Sequence, residues 1–515
     1  MKERPARTRS GRKAGRKTAA AAGLAQPPWQ TVVNPYPPLA MLSEDALEAI
    51  HETSLRILVE IGIELSNSRA QALFANAGAE VDQATGIVRI GRELVDRALA
   101  TAPSLVTVTP RNPGRAVTLG GNQMAFGLVA GPPNVHDRVR GRRAGNHADY
   151  CDLIRLAQVF NVIHLIGNQV VAPVDMPANT RHLDTYDANL KLSDMTFHAL
   201  AIGRGRALDA ITMMALSRGM TAEEMRGDPG ILTIISVNSP RKIDDAMAEG
   251  LMVMAEYGQA VCVTPFTLMG AMTPVTLAAG LAQQNAEALF GVVFTQLVNP
   301  GAPVIYGSYT SNVDMRTGAP AFGTPENAKA NVISGQLARR YGLPYRCSPT
   351  NASNTADTQA VWETQMALWG AVMGHGNLIY HAAGWLEGGL TASYEKLVLD
   401  VEMIQHMIAF LDAPKIDAAE LGFEAIRGVP PGGHFFGEPH TLERYETAFY
   451  QPILSDWQNH ENWQIAGAKT AEERATAVWQ QALKEYRKPP MAPERREALD
   501  AYIAKRREEI GTGEP

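Results

Sequence analysis

Residues 377–402 read NLIYHAAGWLEGGLTASYEKLVLDVE, and this stretch indicates the fold more clearly than any other. A short apolar run, Leu378–Tyr380, predicts a strand, and a helical pattern follows some ten residues later. Between the two stand His381, Trp385 and Glu387, interspersed with glycines. A polar cluster directly after a strand is where α/β barrels place their chemistry.

Seven similar units precede this stretch. The predicted strands are Met124–Val129, Val162–Val171, Met195–Ile202, Ile231–Val237, Ala260–Pro265, Pro303–Gly307, Pro344–Ser348 and Leu378–His381. The helical patterns that follow them, in order, are Asn146–Val159, Asn179–Lys191, Arg204–Arg218, Pro240–Tyr257, Pro274–Val298, Pro325–Tyr341, Asp357–Met373 and Thr391–Phe410. This alternation predicts an α/β fold, a closed (β/α)8 TIM barrel. An open doubly wound sheet is the alternative, but its usual loops, GxGxxG and GxxxxGK[ST], do not occur.

Three of the helical patterns begin with a capping residue followed by proline. These pairs are Ser239-Pro240, Thr273-Pro274 and Thr324-Pro325. Proline is common at the first helical position, because its missing N–H would have no partner there. We therefore expect three barrel helices to start at these prolines.

The segments on either side of the barrel predict three further parts. Residues 1–28 carry eight Lys or Arg and one acid, lack apolar periodicity, and predict a disordered basic tail. Residues 29–123 predict an N-terminal helical cap with a small hairpin. The barrel is expected over residues 124–413, and residues 414–515 predict a C-terminal helical extension.

Composition and charge exclude several classes of function. The net charge is −6, and because the tail contributes +7 the rest of the chain carries −13, which does not suit binding to nucleic acid. No run approaches the length of a membrane helix, and Thr18–Ala25 is too weakly apolar for a signal peptide. The three cysteines are far apart and form neither a disulfide framework nor a metal motif. A cytoplasmic protein with no membrane partner is the resulting expectation.

A closed barrel would bring the carboxyl ends of its strands to one mouth. The polar and aromatic residues at these ends are Asn168, Gln169, His198, Asn238, Thr264, Phe266, Tyr306, Ser308, Arg346, Ser348 and His381. They contain no HxH or HExxH metal set and no GxSxG elbow, so we expect no metal and no serine nucleophile. His381 is the strongest functional candidate, because a glycine-rich loop follows it.

Each of the other candidates also has a purely structural interpretation. His198 would serve equally as a hydrogen-bonded core histidine, and Asn238 as a helix cap. Tyr306 and Phe266 would serve as barrel filling. Glu387 would order its own loop by accepting backbone N–H groups. The residues alone leave these alternatives open.

Several segments together resemble a known family. The run GWLEGGLTASYEKLVLD (Gly384–Asp400) is similar to the trimethylamine methyltransferase family, and most similar to members that lack pyrrolysine and act on quaternary amines such as glycine betaine. Further support comes from FGLVAGPPNVHD, VNSPRKIDDAM and TPFTLMGAMTPVTLAA, and the resemblance spans Leu39 to Pro414. It implies a (β/α)8 barrel that passes a methyl group to the cob(I)alamin of a separate small corrinoid protein. The chain itself is then expected to bind no cofactor directly.

The loop after the seventh strand bears on the choice of substrate. Founding members of the family carry pyrrolysine there, whereas this loop reads CSPTNASNTADTQAVWE, with Asn354 at the position that the resemblance equates with pyrrolysine. Trimethylamine is a poor methyl donor unless its lone pair is engaged. A quaternary nitrogen has no lone pair and leaves as a neutral amine, so methyl transfer needs mainly positioning and desolvation.

The resemblance also assigns roles to the residues at the mouth. Aromatic faces bind quaternary ammonium groups, and the candidates are Tyr306, Phe266, Tyr380 and Trp385. Arg346 or His381 would bind a betaine carboxylate, while Asn238 and His198 complete the predicted substrate site. The catalytic assignment falls on His381 and Glu387.

These inferences predict a cytoplasmic, corrinoid-dependent methyltransferase that acts on glycine betaine or a related quaternary amine. Its expected partners are a small corrinoid-binding protein and a second copy of itself in a homo-oligomer. Three rivals remain: a family homologue with another methylamine substrate, a barrel lyase or hydrolase that uses His381 and Glu387 as an acid/base pair, and a non-catalytic betaine-binding scaffold.

Overall fold

A closed barrel of eight parallel strands forms the centre of the computed structural model, which describes Leu24 and residues 26–511. The barrel strands are β1 (Gln123–Leu128), β2 (Leu165–Ile166), β3 (Thr196–Phe197), β4 (Leu232–Val237), β5 (Ala260–Met269), β6 (Val304–Gly307), β7 (Tyr345–Cys347) and β8 (Leu378–Ala383). Each strand pairs in parallel with the next, and β8 returns to β1. A single bridge from His198 to Leu232 joins β3 to β4. The (β/α)8 prediction is confirmed.

A helix follows every barrel strand and packs against the outside of the sheet. The helices are α1 (His147–Val159), α2 (Arg181–Leu192), α3 (Arg204–Arg218), α4 (Asp245–Glu256), α5 (Leu277–Val298), α6 (Pro325–Arg340), α7 (Thr358–Met373) and α8 (Tyr394–Leu411). Thr324 caps α6 as predicted, since its hydroxyl accepts the N–H of Asn327 at 3.1 Å.

The other two predicted helix starts are wrong. After Ser239-Pro240 the chain forms a short strand, Lys242–Ile243, which pairs with Ile63–Leu65 of the N-terminal cap, and α4 begins only after Asp244. After Thr273-Pro274, α5 is delayed to Leu277, because the N–H of Gly270 bonds to the carbonyl of Thr273 and closes a turn. Tertiary pairing prevails over the local helix signal in the first place, and a local turn prevails over it in the second.

The N-terminal cap contains three helices, Glu44–Arg56, Ser68–Asn76 and Arg92–Thr101, the first of which continues as a π-helix over Ile57–Ile61. The predicted hairpin is present as Val106–Val108 paired with Val117–Leu119. Its valines pack with the apolar residues inside the barrel, so the hairpin covers the end of the barrel opposite the mouth.

Sequence analysis did not predict the short strands of the cap and the mouth. The cap holds a sheet of Ile63–Leu65, Glu80–Asp82 and Ile87–Arg89 together with Lys242–Ile243. The mouth carries a second sheet of Asn134–Asp137, Gly141–Ala144, Trp385–Leu386 and Thr391–Ser393. Thr391 is therefore a strand residue, and α8 starts after Ser393, whose hydroxyl accepts the N–H of Lys396 at 3.2 Å.

The C-terminal extension has two parts. Two long helices, Ala471–Glu485 and Pro493–Gly511, pack on the barrel, while four short ones lie between them and α8. The short helices are Ala418–Leu421, Phe423–Gly428, Pro439–Arg444 and His460–Ile465. Buried Asp209 of α3 accepts hydrogen bonds from Tyr502 and Arg506 and so anchors the last helix.

The predicted disordered tail falls mostly outside the described residues. At its end, Gln26 donates to the carbonyl of Val159 at 2.9 Å and accepts from the N–H of Asn161 at 2.9 Å, so the chain already packs on the barrel there. Within residues 26–511, no helix is both long and apolar enough to cross a membrane.

The packing of α4 against the end of β3 provides a test of the fold. A Cβ added at Gly250 would lie 1.7 Å from the carbonyl oxygen of Ala201, whereas one added at Gly227 would meet nothing within 4 Å. We expect Gly250→Ala to lower the free energy of unfolding by about 1–3 kcal/mol through overpacking. Gly227→Ala is the matched control. Calorimetric melting of both variants is the measurement, and equal midpoints would contradict this packing.

Candidate functional site

A cavity of about 700 Å³ opens at the carboxyl ends of the barrel strands. The predicted site residues that line it are His198, Asn238, Phe266, Arg346, Tyr380, His381 and Trp385. Tyr306, Glu387 and Asn354 do not line it. The structure thus brings seven of the ten predicted positions to one cavity, and their roles there remain predictions.

Tyr306 points away from the cavity because of the two-residue period of β6. Ile305 packs with the apolar residues inside the barrel, so Tyr306 must face the helices. Its hydroxyl donates to the Oδ1 atom of Asn285 on α5 at 2.8 Å, and the residue is completely buried. Tyr306 is therefore withdrawn as a substrate contact, since it belongs to the layer between strand and helix.

Tyr309, and not the predicted Tyr306, is the tyrosine after β6 whose ring lines the cavity. After β6 the chain continues as a second strand, Tyr309–Val313, which pairs in parallel with the extended end of β5. Tyr309 lies on the same face as Ile305 and Gly307, and its ring lines the cavity. The alternation of Ile305, Gly307 and Tyr309 was the signal that would have identified it.

Aromatic rings form one wall of the cavity. The ring centroids of Phe266 and Tyr309 are 5.1 Å apart, and those of Tyr309 and Trp385 are 6.1 Å apart in an edge-on arrangement. A Cβ on Gly389 would lie 2.6 Å from the indole of Trp385, so the glycine at this position makes room for the ring. These faces are suited to a cation that cannot form hydrogen bonds.

Arg346 is a buried cation without an acidic partner among the described residues. Only 1% of its surface is exposed. One terminal nitrogen donates to the carbonyl of Ser308 at 3.2 Å, the other lies 3.5 Å from Nδ1 of His381, and Nε has no partner. The guanidinium carbon lies 5.3 Å and 5.2 Å from the ring centroids of Tyr309 and Tyr380, which compensate only part of its charge. An uncompensated buried charge costs several kcal/mol, so an anionic ligand would be strongly favoured here.

His381 faces the same cavity because the backbone of β8 is irregular. Its φ is 60°, and the register of β8 against β1 shifts between Ile379 and Ala383. Both Tyr380 and His381 thereby line the cavity, although neighbours on a regular strand face opposite sides. A non-glycine residue in this region of backbone space is strained, and such strain is concentrated at functional sites.

The partners of His381 determine which ring nitrogen carries the proton. Arg346 has only donors, so Nδ1 of His381 must accept, and the hydroxyl of Ser348 at 3.1 Å donates to the same atom. The hydrogen of the neutral ring therefore lies on Nε2. Burial and then the charge of Arg346 lower the pKa of His381 well below its ordinary value of 6.5, so the ring stays neutral. His381 is a hydrogen-bond donor toward the cavity and is not available as a base through Nδ1.

His198 and Tyr380 form a second ordered pair. Nε2 of His198 accepts the N–H of Ile234 at 3.0 Å, so its hydrogen lies on Nδ1 and is donated to the Tyr380 hydroxyl at 2.6 Å. That hydroxyl also accepts the N–H of Asn168 at 2.9 Å. The hydrogen of the Tyr380 hydroxyl is committed to neither partner, and this leaves it free to donate to a ligand. Burial raises the pKa of Tyr380, which keeps this hydrogen in place.

Glu387 and Asn354 lie outside this arrangement. The carboxylate of Glu387 is bound by Nε of Arg142 at 2.9 Å and 3.1 Å and by Nη2 at 3.0 Å. This ion pair ties the loop after β8 to the strand Gly141–Ala144, so Glu387 orders its loop through an arginine side chain and not through the backbone N–H groups of the structural interpretation. Asn354 is exposed on the loop after β7. Among the described residues the potential metal cluster is Glu48, His51 and Glu52, which belongs to the N-terminal cap and not to the cavity.

The buried histidines predict acid sensitivity. Burial and the Arg346 charge lower the pKa of His198 to about 3, and burial lowers the pKa of His164 to about 4. In the unfolded chain each binds a proton below its ordinary value of 6.5, while the folded protein does not. The contribution of these two histidines to the free energy of unfolding is therefore fully present above pH 6.5. It declines as the pH falls toward about 4, by about 1 kcal/mol per pH unit for each histidine.

Denaturant unfolding at several pH values tests this expectation. His198→Gln should make the decline between pH 6.5 and 5 shallower by about 1 kcal/mol per pH unit, because one titrating group is removed. Gly227→Ala removes no such group and should keep the wild-type slope. A His198→Gln slope equal to that of the wild type would show that His198 does not stay neutral in the fold.

Comparison with known proteins places the chain in a family. A model of the trimethylamine methyltransferase family matches residues 8–511. A glycine betaine methyltransferase of Desulfitobacterium hafniense is 36% identical over 92% of this chain and 98% of its own length. A proline betaine:corrinoid methyltransferase of Eubacterium limosum is 26% identical over 89% of this chain and 96% of its own. The chain belongs to the trimethylamine methyltransferase family, and the resemblance seen in the sequence is confirmed.

Other relatives extend the range of substrates named in the family. A trimethylamine methyltransferase of Desulfitobacterium hafniense is 28% identical over 92% of this chain and 95% of its own length. The crystal structure of the monomethylamine methyltransferase of Methanosarcina barkeri superposes with a TM-score of 0.53 at 10% identity, covering 89% of this chain and 88% of that one. This structural likeness supports the barrel fold alone.

Proposed function

We propose that this protein transfers a methyl group from a carboxylate-bearing quaternary amine, glycine betaine or a close relative, to the cob(I)alamin of a separate corrinoid protein. The observation that carries the proposal is the buried guanidinium of Arg346, which has no acidic partner among the described residues. Trimethylamine and monomethylamine have no anionic group that would pair with it. A betaine has one at a fixed short distance from its ammonium group.

The strand register sets the orientation of such a ligand. Gly307 pairs with Arg346, and Phe266 pairs with Tyr309 two residues further toward the mouth. Two residues of strand correspond to about 7 Å. The carboxylate would therefore lie deep, at Arg346. The ammonium group is repelled by that cation, which already lies 5.3 Å from the Tyr309 ring centroid, and so lies against Phe266 and Trp385. This arrangement directs the methyl groups toward the opening.

Neutral donors complete the proposed carboxylate site. The Nε2–H of His381 and the hydroxyl hydrogen of Tyr380 are both free of described protein partners. Charge-assisted hydrogen bonds of this kind are roughly twice as strong as neutral ones and fix the orientation of the ligand. His381 thus acts by positioning the substrate, as expected of a partner for the carboxylate, and not by the acid/base chemistry that the rival lyase or hydrolase hypothesis gives it.

The reaction needs no proton transfer. The methyl carbon forms a bond to cobalt using the electron pair of cob(I)alamin, and the electron pair of the broken carbon–nitrogen bond stays on nitrogen, which leaves as a neutral tertiary amine. The contribution of the protein is to hold the ammonium group in a water-poor aromatic site in line with the opening. The arrangement of His381 and Glu387 does not favour the rival acid/base mechanism, because Nδ1 of His381 is engaged and Glu387 is paired with Arg142.

The choice of substrate can be tested by spectroscopy. Cob(I)alamin is incubated with the protein and with glycine betaine, proline betaine, choline or trimethylamine in turn, and the visible spectrum is followed. We expect methylcobalamin to appear with a betaine and not with trimethylamine, which lacks both the activated methyl group and the carboxylate. Methylcobalamin formed from trimethylamine and from neither betaine would overturn the proposal.

The role of Arg346 predicts an unusual pair of effects on stability. Arg346→Met keeps the volume and removes a buried charge, so the free variant should melt at the same temperature as the wild type or higher. Glycine betaine should raise the melting temperature of the wild type and leave that of the variant unchanged. Gly227→Ala is the control, since it lies outside the cavity and should keep the shift caused by glycine betaine. A variant that is strongly destabilised without ligand would show that Arg346 is structural.

A further inference from the structure

Residues 413–470, here called the arm, leave the barrel at the end of α8 and touch it again in one short stretch. Leu411 is buried at the root. The carboxylate of Glu402 on α8 then accepts the N–H groups of Ile453 at 2.8 Å, Leu454 at 3.2 Å and Ser455 at 3.2 Å. The arm is thereby fixed to its own barrel at Ile453–Ser455, and the parts of the arm before and after this stretch extend outward.

The arm exposes an unusual amount of apolar surface. Among its described residues Leu454 is the one fully buried side chain. Eleven large apolar side chains are exposed: Ile416, Leu421, Phe423, Ile426, Phe435, Phe436, Leu442, Tyr445, Phe449, Trp457 and Ile465. Phe436 is 82% exposed and Ile465 is 84% exposed. Isolated exposed apolar residues are normal, but eleven of them in one segment of the chain are an unusual concentration, and extensive exposed apolar surface marks an interaction site.

The secondary structure of the arm also requires a partner. Its four helices contain only four to six residues each, and none of them buries a residue within the described chain. Two have proper N-caps, Asp417 and Asn459. Helices shorter than about 12 residues are not stable alone in water, so packing against another surface must hold them.

A matching surface lies on the outer wall of the barrel, near the root of the arm. Trp362 is 60% exposed and Met366 is 43% exposed on α7. Trp369 and Phe410 are partly exposed as well, and their ring centroids lie 5.0 Å apart. We call these four residues the receiving patch. Exposed Trp, Met and Phe are the residue types enriched at protein interfaces.

We propose that the arm of one copy packs on the receiving patch of a second copy of this chain, and that the exchange is reciprocal and forms a two-fold dimer. Eleven large side chains that each expose about 100 Å² amount to roughly 1,000 Å² per copy. A stable interface of standard size needs about 800 Å² per partner. The four residues of the receiving patch expose roughly 400 Å² by the same measure, so a closed exchange, in which each copy contributes its patch and a matching part of its arm, buries about 800 Å² per copy.

The position of the arm favours a second copy over the protein that carries the methyl acceptor. Barrel helices run back from the mouth, so α8 ends at the opposite end of the barrel from the Arg346 cavity. Phe410 at this end contacts Tyr36, with ring centroids 5.5 Å apart, in the segment that follows the pairing of Val32 with Met124 at the start of β1. A methyl acceptor must reach the mouth and leave after each transfer. It would not supply permanent packing to helices at the far end.

Sedimentation of the full-length protein tests the dimer. We expect a mass of twice 55.7 kDa for the wild type. The double variant Phe423→Ser with Phe436→Ser should weaken association at least tenfold, while Val275→Ser, which removes an exposed apolar residue from a loop at the mouth, should not. A wild type that is monomeric at about 50 µM, far above the dissociation constant of a standard interface, would overturn the proposal.

Crosslinking identifies the occupant without relying on a destabilising variant. A photoreactive benzoylphenylalanine at position 436, in a mixture of isotope-labelled and unlabelled protein, should link to the α7 peptide that contains Trp362 and Trp369 of the other copy. Links confined to the same chain, or links that move to an added corrinoid protein, would contradict the exchange. The proposal does not rest on the substrate assignment, and methyl transfer at the cavity is measured separately on the same samples.

Discussion

A guanidinium held inside a barrel, with no carboxylate beside it in the part of the chain that the structure describes, is the constraint on which the site depends. Arg346 is desolvated, its Nε has no partner among the same residues, and two tyrosine faces give it only partial compensation. A fold does not retain such a cost for stability, because an apolar side chain would fill the same space more favourably. The cost is explained when a ligand supplies the missing negative charge.

The other features of the cavity follow from this cation. Burial, and then the field of this cation, keep His198 and His381 neutral, and the partners of each ring fix which nitrogen donates. His198 then orients the hydroxyl of Tyr380, and His381 presents Nε2–H on the same side. The cation also repels an ammonium group toward Phe266 and Trp385. Substrate orientation thus depends on one buried charge and on the strand register that separates it from the aromatic wall.

Much of the fold was predictable because each unit repeats the same pattern of apolar strand and helix. The errors arose where tertiary pairing competes with local signals. Ser239-Pro240 looks like a helix start, but the strand Lys242–Ile243 pairs with the N-terminal cap, a contact that no local pattern reveals. Three-residue strands such as Ile63–Leu65 are too short to show a period.

The site was predictable to the extent that strand ends converge. His381 and Arg346 followed from their positions toward the ends of the predicted eighth and seventh strands. Tyr306 was predicted and Tyr309 was missed, because the alternation along the strand that places Ile305 inside the barrel turns Tyr306 toward the helices. The sequence could not predict that the charge of Arg346 is uncompensated, because that depends on which acidic side chains lie near it in the folded structure. The sequence also could not predict the exposed apolar surface of the arm, because its apolar residues are spaced as in an ordinary helical extension.

The most direct test of the account is a thermodynamic cycle between one side chain and one ligand group. The specificity constant kcat/KM for methyl transfer is measured for glycine betaine and choline with the wild type and with Arg346→Met. The account predicts that the wild type prefers glycine betaine by at least about 100-fold, or about 3 kcal/mol, and that the variant loses most of this preference while its activity toward choline is retained. An equal loss with both substrates would contradict a contact between Arg346 and the carboxylate.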